Sequence, residues 1–346
     1  MQPIDRAITP PVTTEALQRR LDSRTKPQGS LGALEALGIR IGQSLDTDQP
    51  RFTQPTIMIF AADHGIAKDG VSTAPSEVTG QMLRNYLAGG AAINVLARQH
   101  GLALQVIDAG VASDVPAHPG LTSRRIAPGT RNFRLEPAMT SAQCAAALDA
   151  GRELAGAALR SGSNALLLGE MGIGNTSCAA ILLHRRMDWP MEDCVGRGTG
   201  LNDAGLLRKT LLLTEAAKRV PGRLSPRDTL MEFGGFEMAM LTGAMLEAAR
   251  HPCIVVVDGF AVSVAALLAI QMDADVARRC VFSHCSAEKG HRALLAHLKA
   301  HPLLDLQLRL GEGSGAALAW PLVDATARLM SEMASFESAG VTVPGT

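Results

Sequence analysis

The stretch NALLLGEMGIGNTS, residues 164–177, joins a short apolar run to a glycine-rich turn and then to a helical pattern that starts near Thr176. An apolar run leads into a polar turn in four other places: TIMIF (56–60), LALQVI (102–107), CIVVV (253–257) and RCVFS (279–283). Strands that are apolar throughout and alternate with helices are typical of a parallel sheet covered on both faces. The sequence therefore predicts an α/β fold that binds its ligands at the carboxyl ends of the strands, where the polar turns lie.

The two ends of the chain have a different pattern. Residues 13–45 and about 316–337 are amphipathic with a helical period, and Ser30 is a candidate N-cap for the helix that begins LGALEALGIRIG. We expect residues 1–50 with 321–346 to form a small helical domain and residues 51–320 to form the α/β domain. The segment 111–137, rich in Pro, Arg and Gly, is expected to be a long ordered excursion from the sheet.

Composition narrows the class of protein. Lys plus Arg equals Asp plus Glu, 33 of each, so no net charge attracts nucleic acid or an anionic membrane, and neither is expected as a partner. The most apolar segment, 253–270, is interrupted by Asp258-Gly259 and is too broken to span a membrane. Six cysteines without a C-x-x-C pair indicate reduced thiols in a cytoplasmic protein. Since only 3% of residues are aromatic, we expect a flat ligand to be sandwiched by aliphatic side chains.

Two glycine-rich turns are candidate phosphate sites. In GEMGIGNTS (169–177) glycines let backbone N–H groups converge at a helix N-terminus, which favours a phosphate, although the turn can also be purely structural. Ser177 replaces the third glycine of a dinucleotide fingerprint, and no Walker-type Gly-Lys-Ser is present. The second turn, 196–200, precedes a helical stretch that holds Lys209, which either points at an anion or is solvated.

Three further clusters carry candidate chemistry. Asp63-His64 is either an acid–base pair or a structural turn. His284, Cys285 and His291 invite a metal, but they lack the i, i+4 spacing of helical ligands, and we predict no metal site. In LGEGSGAAL (310–318), Glu312 lies between glycines that permit close approach of backbone or ligand, although an acidic tip on an ordinary turn has the same pattern.

Taken together, these turns resemble one family, the nicotinate-nucleotide–dimethylbenzimidazole phosphoribosyltransferases of cobalamin lower-ligand synthesis. The resemblance runs nearly end to end and keeps the order of eight motifs: RTKPQGSLGALE (24–35), AADHGIAKDGVSTAPSEVTGQM (61–82), GEMGIGNTS (169–177), GRGTG (196–200), GGFEMAMLTGAML (234–246), DGF (258–260), HCSAEKGH (284–291) and LGEGSGAAL (310–318).

The resemblance implies a Rossmann-like α/β domain with a smaller helical one, and a homodimer. It implies transfer of the 5-phosphoribosyl group from nicotinate mononucleotide to 5,6-dimethylbenzimidazole, with no metal or redox cofactor. Glu312 corresponds to the family's catalytic base. The nucleotide and its phosphate would be held by Glu170, Met171, Gly172, Ile173, Gly174, Asn175, Gly198, Thr199, Gly200, Lys209 and Ser286. The benzimidazole would contact Ser72, Gln81 and Met171.

Two other functions compete with this interpretation. An NAD-dependent oxidoreductase would need an acidic ribose ligand about 20 residues beyond the glycine turn, where Asp188 and Asp193 lie in a poorly matching context. A non-catalytic nucleotide sensor on the same fold would bind nicotinate mononucleotide without releasing nicotinate.

Overall fold

The computed structural model describes residues 12–342. Its strands are β1 (Thr56–Ala62), β2 (Ala103–Gly110), β3 (Leu121–Ser123), β4 (Ala165–Met171), β5 (Ile254–Val257) and β6 (Cys280–Phe282). Its helices are α1 (Thr14–Asp22), α2 (Ala33–Leu45), α3 (Glu77–Ala88), α4 (Ala92–His100), α5 (Ser141–Arg160), α6 (Asn175–Met187), α7 (Met191–Cys194), α8 (Asp203–Lys218), α9 (Pro226–Phe233), α10 (Phe236–Ala248), α11 (Phe260–Met272), α12 (Val276–Arg279), α13 (Lys289–His297), α14 (Ser314–Glu332) and α15 (Phe336–Ala339).

The six strands form one parallel sheet in the order β3-β2-β1-β4-β5-β6. This confirms the predicted parallel sheet, and the order is that of a Rossmann-type doubly wound fold. The strand order reverses between β1 and β4, where Ala61 is paired with Met171. Ligands of such folds bind in the crevice beyond this reversal point, so the turns after β1 and β4 are placed side by side at the expected site.

The prediction for residues 111–137 was wrong in one respect. Leu121–Ser123 returns to the sheet as the edge strand β3, with Val106 of β2 paired to Leu121. The backbone N–H of Arg124 then donates to Asp108 O at 2.9 Å and continues the contact. Three residues that are half-buried or exposed give no apolar run, so the sequence carried no strand signal here.

Close backbone contact explains the abundance of small residues in the core. Helices α5 and α10 cross where Gly151 faces Met240, and a Cβ at Gly151 would lie 1.9 Å from Met240 O. Gly243 makes the reciprocal approach, since its Cβ would lie 2.0 Å from Leu148 O. All six cysteines are buried and none forms a disulfide, as the sequence predicted.

The chain divides into two compact units, one of Thr53–Pro321 and one of Met1–Phe52 with Leu322–Thr346, of which 12–52 and 322–342 are described. The smaller unit packs Leu17 and Leu21 of α1 around Met330 of α14. The N-cap of its helix α2 is Gly32, so the prediction of Ser30 as the cap was wrong. Ser30 instead lies in a turn, where its N–H donates to Pro27 O at 3.2 Å. No helix among residues 12–342 is both long and apolar enough to cross a membrane.

Candidate functional site

A cavity opens at the carboxyl edge of the sheet, beside the reversal point between β1 and β4. Eleven of the residues predicted for the site line it: Ser72, Glu170, Met171, Gly172, Ile173, Gly174, Asn175, Gly198, Thr199, Ser286 and Glu312. Gln81, Gly200 and Lys209 do not. The structure therefore brings turns from five separate parts of the chain to one place.

The turn that carries Glu312 is left-handed over three successive residues. Gly311, Glu312 and Gly313 have φ of 81°, 64° and 76°. Glycine takes this conformation without penalty, whereas a glutamate at positive φ is strained and must be held by its surroundings. The Ser314 hydroxyl donates to Gly311 O at 2.6 Å, and the Glu312 N–H donates to Glu170 O at 3.3 Å. The base candidate is thus fixed by its backbone.

Close packing on β4 explains a further glycine below this turn. A Cβ at Gly169 would lie 2.4 Å from Gly313 N and 2.8 Å from Glu312 C. Only a residue without a side chain lets the 311–313 turn approach the strand this closely.

The Glu312 side chain is almost entirely buried, with 6% of its surface exposed, at the cavity wall. Burial, and secondarily the negative charge of Asp258, raise the pKa of Glu312, while the neighbouring Tyr86 hydroxyl opposes the rise. Its Oε2 is buried without a hydrogen-bond partner among the described residues. A carboxylate with a raised pKa at a water-poor wall has the properties of a general base.

A second carboxylate, Glu170 at the end of β4, faces the same cavity. Burial raises its pKa to about 8, and the charges of Glu237 and Asp258 add to the rise. The side-chain amide of Asn175 donates to Glu170 Oε2. Its other oxygen, Oε1, lies 3.1 Å from the position of a Cβ on Gly311, so Glu170 stands next to the turn that holds Glu312.

The turn after β4 differs from the predicted phosphate cradle. Three of its N–H groups already have partners within the protein. Ile173 N–H donates to Thr79 Oγ1 at 3.1 Å, and Asn175 N–H donates to Gly172 O at 3.1 Å. The N–H of Thr176 donates to Asn175 Oδ1 at 2.7 Å. A Cβ at Gly172 would lie 2.3 Å from Ala62 O, so packing against β1 is sufficient to require this glycine.

The His64 side chain packs against this turn. Its Nε2 lies 2.8 Å from Glu237 Oε1, and both side chains are fully buried. Burial is the largest single influence on the pKa of His64 and lowers it. The negative charge of Glu237 acts in the opposite direction, and the pKa of His64 is raised overall. Asp63 accepts the Ala112 N–H at 2.7 Å. Of the two interpretations of Asp63-His64, the contacts favour the structural one, because neither residue lines the cavity.

Lys209 lies behind the cavity wall. Its ammonium is fully buried and donates to Thr176 Oγ1 at 2.9 Å and to Gly196 O at 3.2 Å. Burial lowers the pKa of Lys209 to about 8, although the charge of Glu288 opposes the shift. Thr176 and the loop before Gly200 lie between the ammonium and the cavity, and the predicted role of Lys209 toward the phosphate stays a prediction.

The acceptor side is partly as predicted. Ser72 lines the cavity, and its Oγ lies 3.2 Å from Thr199 Oγ1. Gln81 is exposed on α3, where Thr79, Leu83 and Tyr86 form the buried face. Successive helical residues are 100° apart, so Gln81 lies on the side of α3 opposite Thr79, and it does not line the cavity.

The cavity residues that were not predicted include Phe260, His284, Glu288 and Arg309. Phe260 adds one aromatic ring to apolar lining residues that are otherwise aliphatic. Glu288 Oε1 accepts the Gly198 N–H at 2.9 Å and fixes the second glycine turn. The Arg309 guanidinium donates from Nη1 to Gly198 O at 3.3 Å. The DGF and HCSAEKGH motifs contained three of these residues, whereas Arg309, an exposed cation before LGEGSGAAL, carried no signal.

His291, near the cavity, has hydrogen-bond partners within the protein at both ring nitrogens. Ser286 N–H donates to His291 Nδ1 at 2.9 Å, so His291 carries its proton on Nε2, which lies 2.9 Å from Ser263 Oγ. Burial lowers the pKa of His291 to about 3 and keeps it neutral. Within residues 12–342, no group of three or more His, Cys, Asp or Glu side chains is placed to hold a metal ion.

The dinucleotide alternative fails on geometry. Asp188 is the C-cap of α6, at the far end of a 13-residue helix, about 20 Å from the glycine turn at 1.5 Å per residue. Asp193 is paired with Lys289 at 3.0 Å. Neither Asp188 nor Asp193 lines the cavity.

Known proteins resemble this chain over nearly its full length. A family model described as Phosphoribosyltransferase matches residues 8–341. The nicotinate-nucleotide–dimethylbenzimidazole phosphoribosyltransferase of Cupriavidus taiwanensis is 53% identical over 340 residues, which cover 98% of this chain and 97% of that protein. The enzyme of the same name from Variovorax paradoxus is 53% identical and covers 94% of this chain and 93% of its own. The crystal structure of CobT from Thermus thermophilus superposes with a TM-score of 0.91 at 42% identity, over 95% of this chain and 99% of that one.

Proposed function

Since this chain belongs to the nicotinate-nucleotide–dimethylbenzimidazole phosphoribosyltransferase family, we propose that it transfers the 5-phosphoribosyl group from nicotinate mononucleotide to 5,6-dimethylbenzimidazole. The products are alpha-ribazole 5'-phosphate and nicotinate, in the assembly of the nucleotide loop of cobalamin. The observation that carries the proposal is Glu312, a buried carboxylate held by a strained, glycine-flanked turn at the cavity wall.

The chemistry needs one base and no acid. Nicotinate leaves through a pyridinium nitrogen that already carries positive charge, so the leaving group requires no proton. One ring nitrogen of the benzimidazole attacks the ribose carbon, and the N–H of its other nitrogen must be lost. Glu312 accepts that proton, and its carboxylate offsets the positive charge that develops on the nucleophile and the ribose. Direct displacement inverts the β-linked donor to an α-linked product.

The donor is expected at the side of the cavity formed by the two glycine turns. Glu170 and Asn175 offer polar groups to the ribose hydroxyls, and the loop 198–200 with Ser286 lies beyond them. Positive charge for the phosphate comes from Arg309 at the cavity and from Lys209 behind Thr176. Arginine is suited to phosphate because its planar fork can donate two hydrogen bonds at once.

The acceptor is expected between apolar groups on the other side. Val71, Val78, Met171 and Phe260 supply this lining, with the Ser72 hydroxyl at its edge. A flat, apolar bicyclic base that makes few polar contacts fits such a wall.

Replacement of Glu312 tests the assignment directly. We expect Glu312→Gln to lower kcat about 10²–10⁴-fold, the usual loss on removal of a general base, while nicotinate mononucleotide still binds. Glu153→Gln is the matched control, because Glu153 is exposed and makes only a surface ion pair of 3.4 Å with Arg124. Nicotinate release and ribazole phosphate formation, followed by mass, should stop together. Wild-type turnover in Glu312→Gln would exclude it as the base.

A nucleotide sensor would give a different result in the same assay, since it would bind nicotinate mononucleotide but release no nicotinate when the base is added. The names of the relatives favour the enzyme over the sensor.

The assembly is proposed to be a homodimer. Leu207 and Leu211 lie one turn apart on α8 and are 61% and 62% exposed, an apolar pair suited to a second copy of the chain. Light scattering of the wild type should give twice the 36.3 kDa of the chain. A monomer at micromolar concentration with full activity would contradict this proposal.

The enzyme is proposed to act in the cytoplasm on small molecules alone. Six free, buried cysteines are compatible with a reducing compartment. The balance of 33 basic and 33 acidic residues favours no nucleic-acid partner.

A further inference from the structure

Tyr86 is the single tyrosine of the sequence and is buried beside the site without lining it. It lies on α3, with 2% of its surface exposed. Its hydroxyl is fully buried and has no hydrogen-bond partner of good geometry among the described residues. A buried hydroxyl without a partner costs free energy, so its persistence here calls for an explanation.

The complementary atom lies next to it. Glu312 Oε2 is an acceptor that is likewise buried without a partner of good geometry. The Tyr86 hydroxyl and the Glu312 carboxyl are close enough to influence each other as hydrogen-bond partners. The phenol can donate a hydrogen bond, and the carboxylate oxygen can accept it.

We propose that Tyr86 is a positioning residue for the base: its hydroxyl donates to Glu312 Oε2 and leaves Oε1 to take the proton of the acceptor base. The inference rests on the proposed function of Glu312 and goes beyond it by assigning separate roles to the two carboxylate oxygens. In the reaction, the acceptor N–H bond breaks and the Oε1–H bond forms. The phenol keeps its own proton throughout.

The surroundings support a neutral phenol in this role. Burial and the charges of Glu312 and Glu170 raise the pKa of Tyr86 above its ordinary value, so the hydroxyl stays protonated and able to donate. Hydrogen bonds from a hydroxyl to a carboxylate are about twice as strong as neutral ones. The charged groups facing this pair are Glu170, on the Tyr86 side, and Asp258, on the Glu312 side.

Because Tyr86 is the only tyrosine, nuclear magnetic resonance can observe it alone. In protein labelled with tyrosine carrying ¹³C at Cζ, the single resonance should titrate with Glu312 in the ligand-free enzyme. Glu312→Gln should abolish that inflection, whereas Glu170→Gln should shift it without removing it. A flat titration in the wild type, or an unchanged inflection in Glu312→Gln, would overturn the proposal.

Kinetics of Tyr86→Phe give a second, independent test. The substitution keeps the ring and removes only the hydroxyl. Loss of a donor to the carboxylate raises the pKa of Glu312, so the acid limb of the pH profile of kcat/KM should move to higher pH by about 1 unit. At a pH below this limb, kcat/KM of the variant should be about tenfold lower than that of the wild type. The KM for nicotinate mononucleotide should change less than about twofold, because no donor contact is removed. A lower kcat with an unshifted profile would mean that Tyr86 is only structural.

The two variants test the role of Glu312 and the role of Tyr86 separately. Suppose that Glu312→Gln retains turnover, while the Tyr86 resonance of the wild type titrates with Glu312. The contact between the two side chains is then supported, but Glu312 is not the base. If Glu312→Gln is inactive and the resonance ignores Glu312, the base stands and the role of Tyr86 is rejected.

Discussion

The carboxylate of Asp258, directly after β5, accepts a hydrogen bond of 3.1 Å from the backbone N–H of Gly313, the residue that follows the proposed base. Its other oxygen accepts the Ala316 N–H at 3.1 Å. Asp258 thus satisfies N–H groups where α14 begins and ties the Glu312 turn to the sheet. A carboxylate is favoured there because the first N–H groups of a helix lack partners within the helix.

We expect Asp258→Asn to lower kcat about 10–100-fold with little change in the KM for nicotinate mononucleotide. The amide has one acceptor oxygen, so one of the two N–H groups loses its partner and the 311–313 turn shifts, and small displacements of a catalytic group are costly. Asp305→Asn is a matched control, since Asp305 makes an exposed ion pair of 2.7 Å with Arg292. Steady-state kinetics of the two variants are the measurement. An unchanged kcat in Asp258→Asn would show that the turn keeps its geometry without this carboxylate.

The sequence predicted the parts of the fold that burial dictates. Parallel strands covered on both faces must be apolar throughout, so β1, β2, β4, β5 and β6 were visible as runs, and the site followed because their carboxyl ends meet at one edge. Strand β3 was not visible, because a short edge strand is buried on neither face.

The site could be predicted only in part, because the sequence does not show in which direction a side chain points. The glycine turns and Glu312 were found because positive φ and close approach restrict the residue type. Gln81 and Lys209 were expected at the cavity, but the rotational phase of α3 and the burial of α8 decide where such side chains point. Arg309 was missed because a single exposed cation has no pattern around it.

Lys209 should control donor affinity in a pH-dependent way. Burial lowers its pKa to about 8, so its positive charge is present below that pH and is lost as the pH rises through it. The wild-type KM for nicotinate mononucleotide should therefore increase above pH 8. Lys209→Met, of similar length and without charge, should raise this KM about 10-fold at pH 7 and remove the pH dependence, since the ammonium behind Thr176 attracts the phosphate through a wall of low dielectric constant, and about 1.4 kcal/mol is a factor of ten.

The acceptor provides the control for Lys209, because dimethylbenzimidazole has no phosphate. Its KM should stay within a small factor in Lys209→Met. A rise in the acceptor KM alone would place the phosphate elsewhere.

Arg309→Gln should raise the KM for nicotinate mononucleotide about 10-fold without loss of stability. The guanidinium faces the cavity but is exposed, and its one hydrogen bond within the protein, to Gly198 O, is long at 3.3 Å. A charged hydrogen bond to phosphate is worth about 1.5–3 kcal/mol, whereas exposed groups contribute little to folding. Arg292→Gln is the control, as an exposed arginine paired with Asp305. A normal donor KM in Arg309→Gln would exclude Arg309 from the phosphate site.

Glu170→Gln is expected to stabilise the ligand-free protein while it weakens activity. Burial raises the pKa of Glu170 to about 8, far above its ordinary value of 4.5. A carboxyl whose pKa is raised by folding favours the folded state below its unfolded pKa, and this contribution is lost as the pH rises through the folded value. Between pH 4.5 and 8 the wild type should therefore lose stability that the neutral glutamine retains. At pH 7 the variant should be more stable by about 1–3 kcal/mol, measured by urea unfolding.

The comparison across pH separates this electrostatic effect from a change in packing. At pH 4 both side chains are neutral, so the stabilities of wild type and Glu170→Gln should converge. The Asn175 amide can still donate to the glutamine carbonyl oxygen, which keeps the local hydrogen bond. Above pH 8, where the wild-type group is ionised, weaker ribose binding should appear as a higher KM for nicotinate mononucleotide in the variant, because a neutral amide accepts a hydroxyl hydrogen bond less strongly than a carboxylate. Equal stability of the two proteins at pH 8 would mean that Glu170 is ionised at no cost in the folded enzyme, and that burial does not raise its pKa.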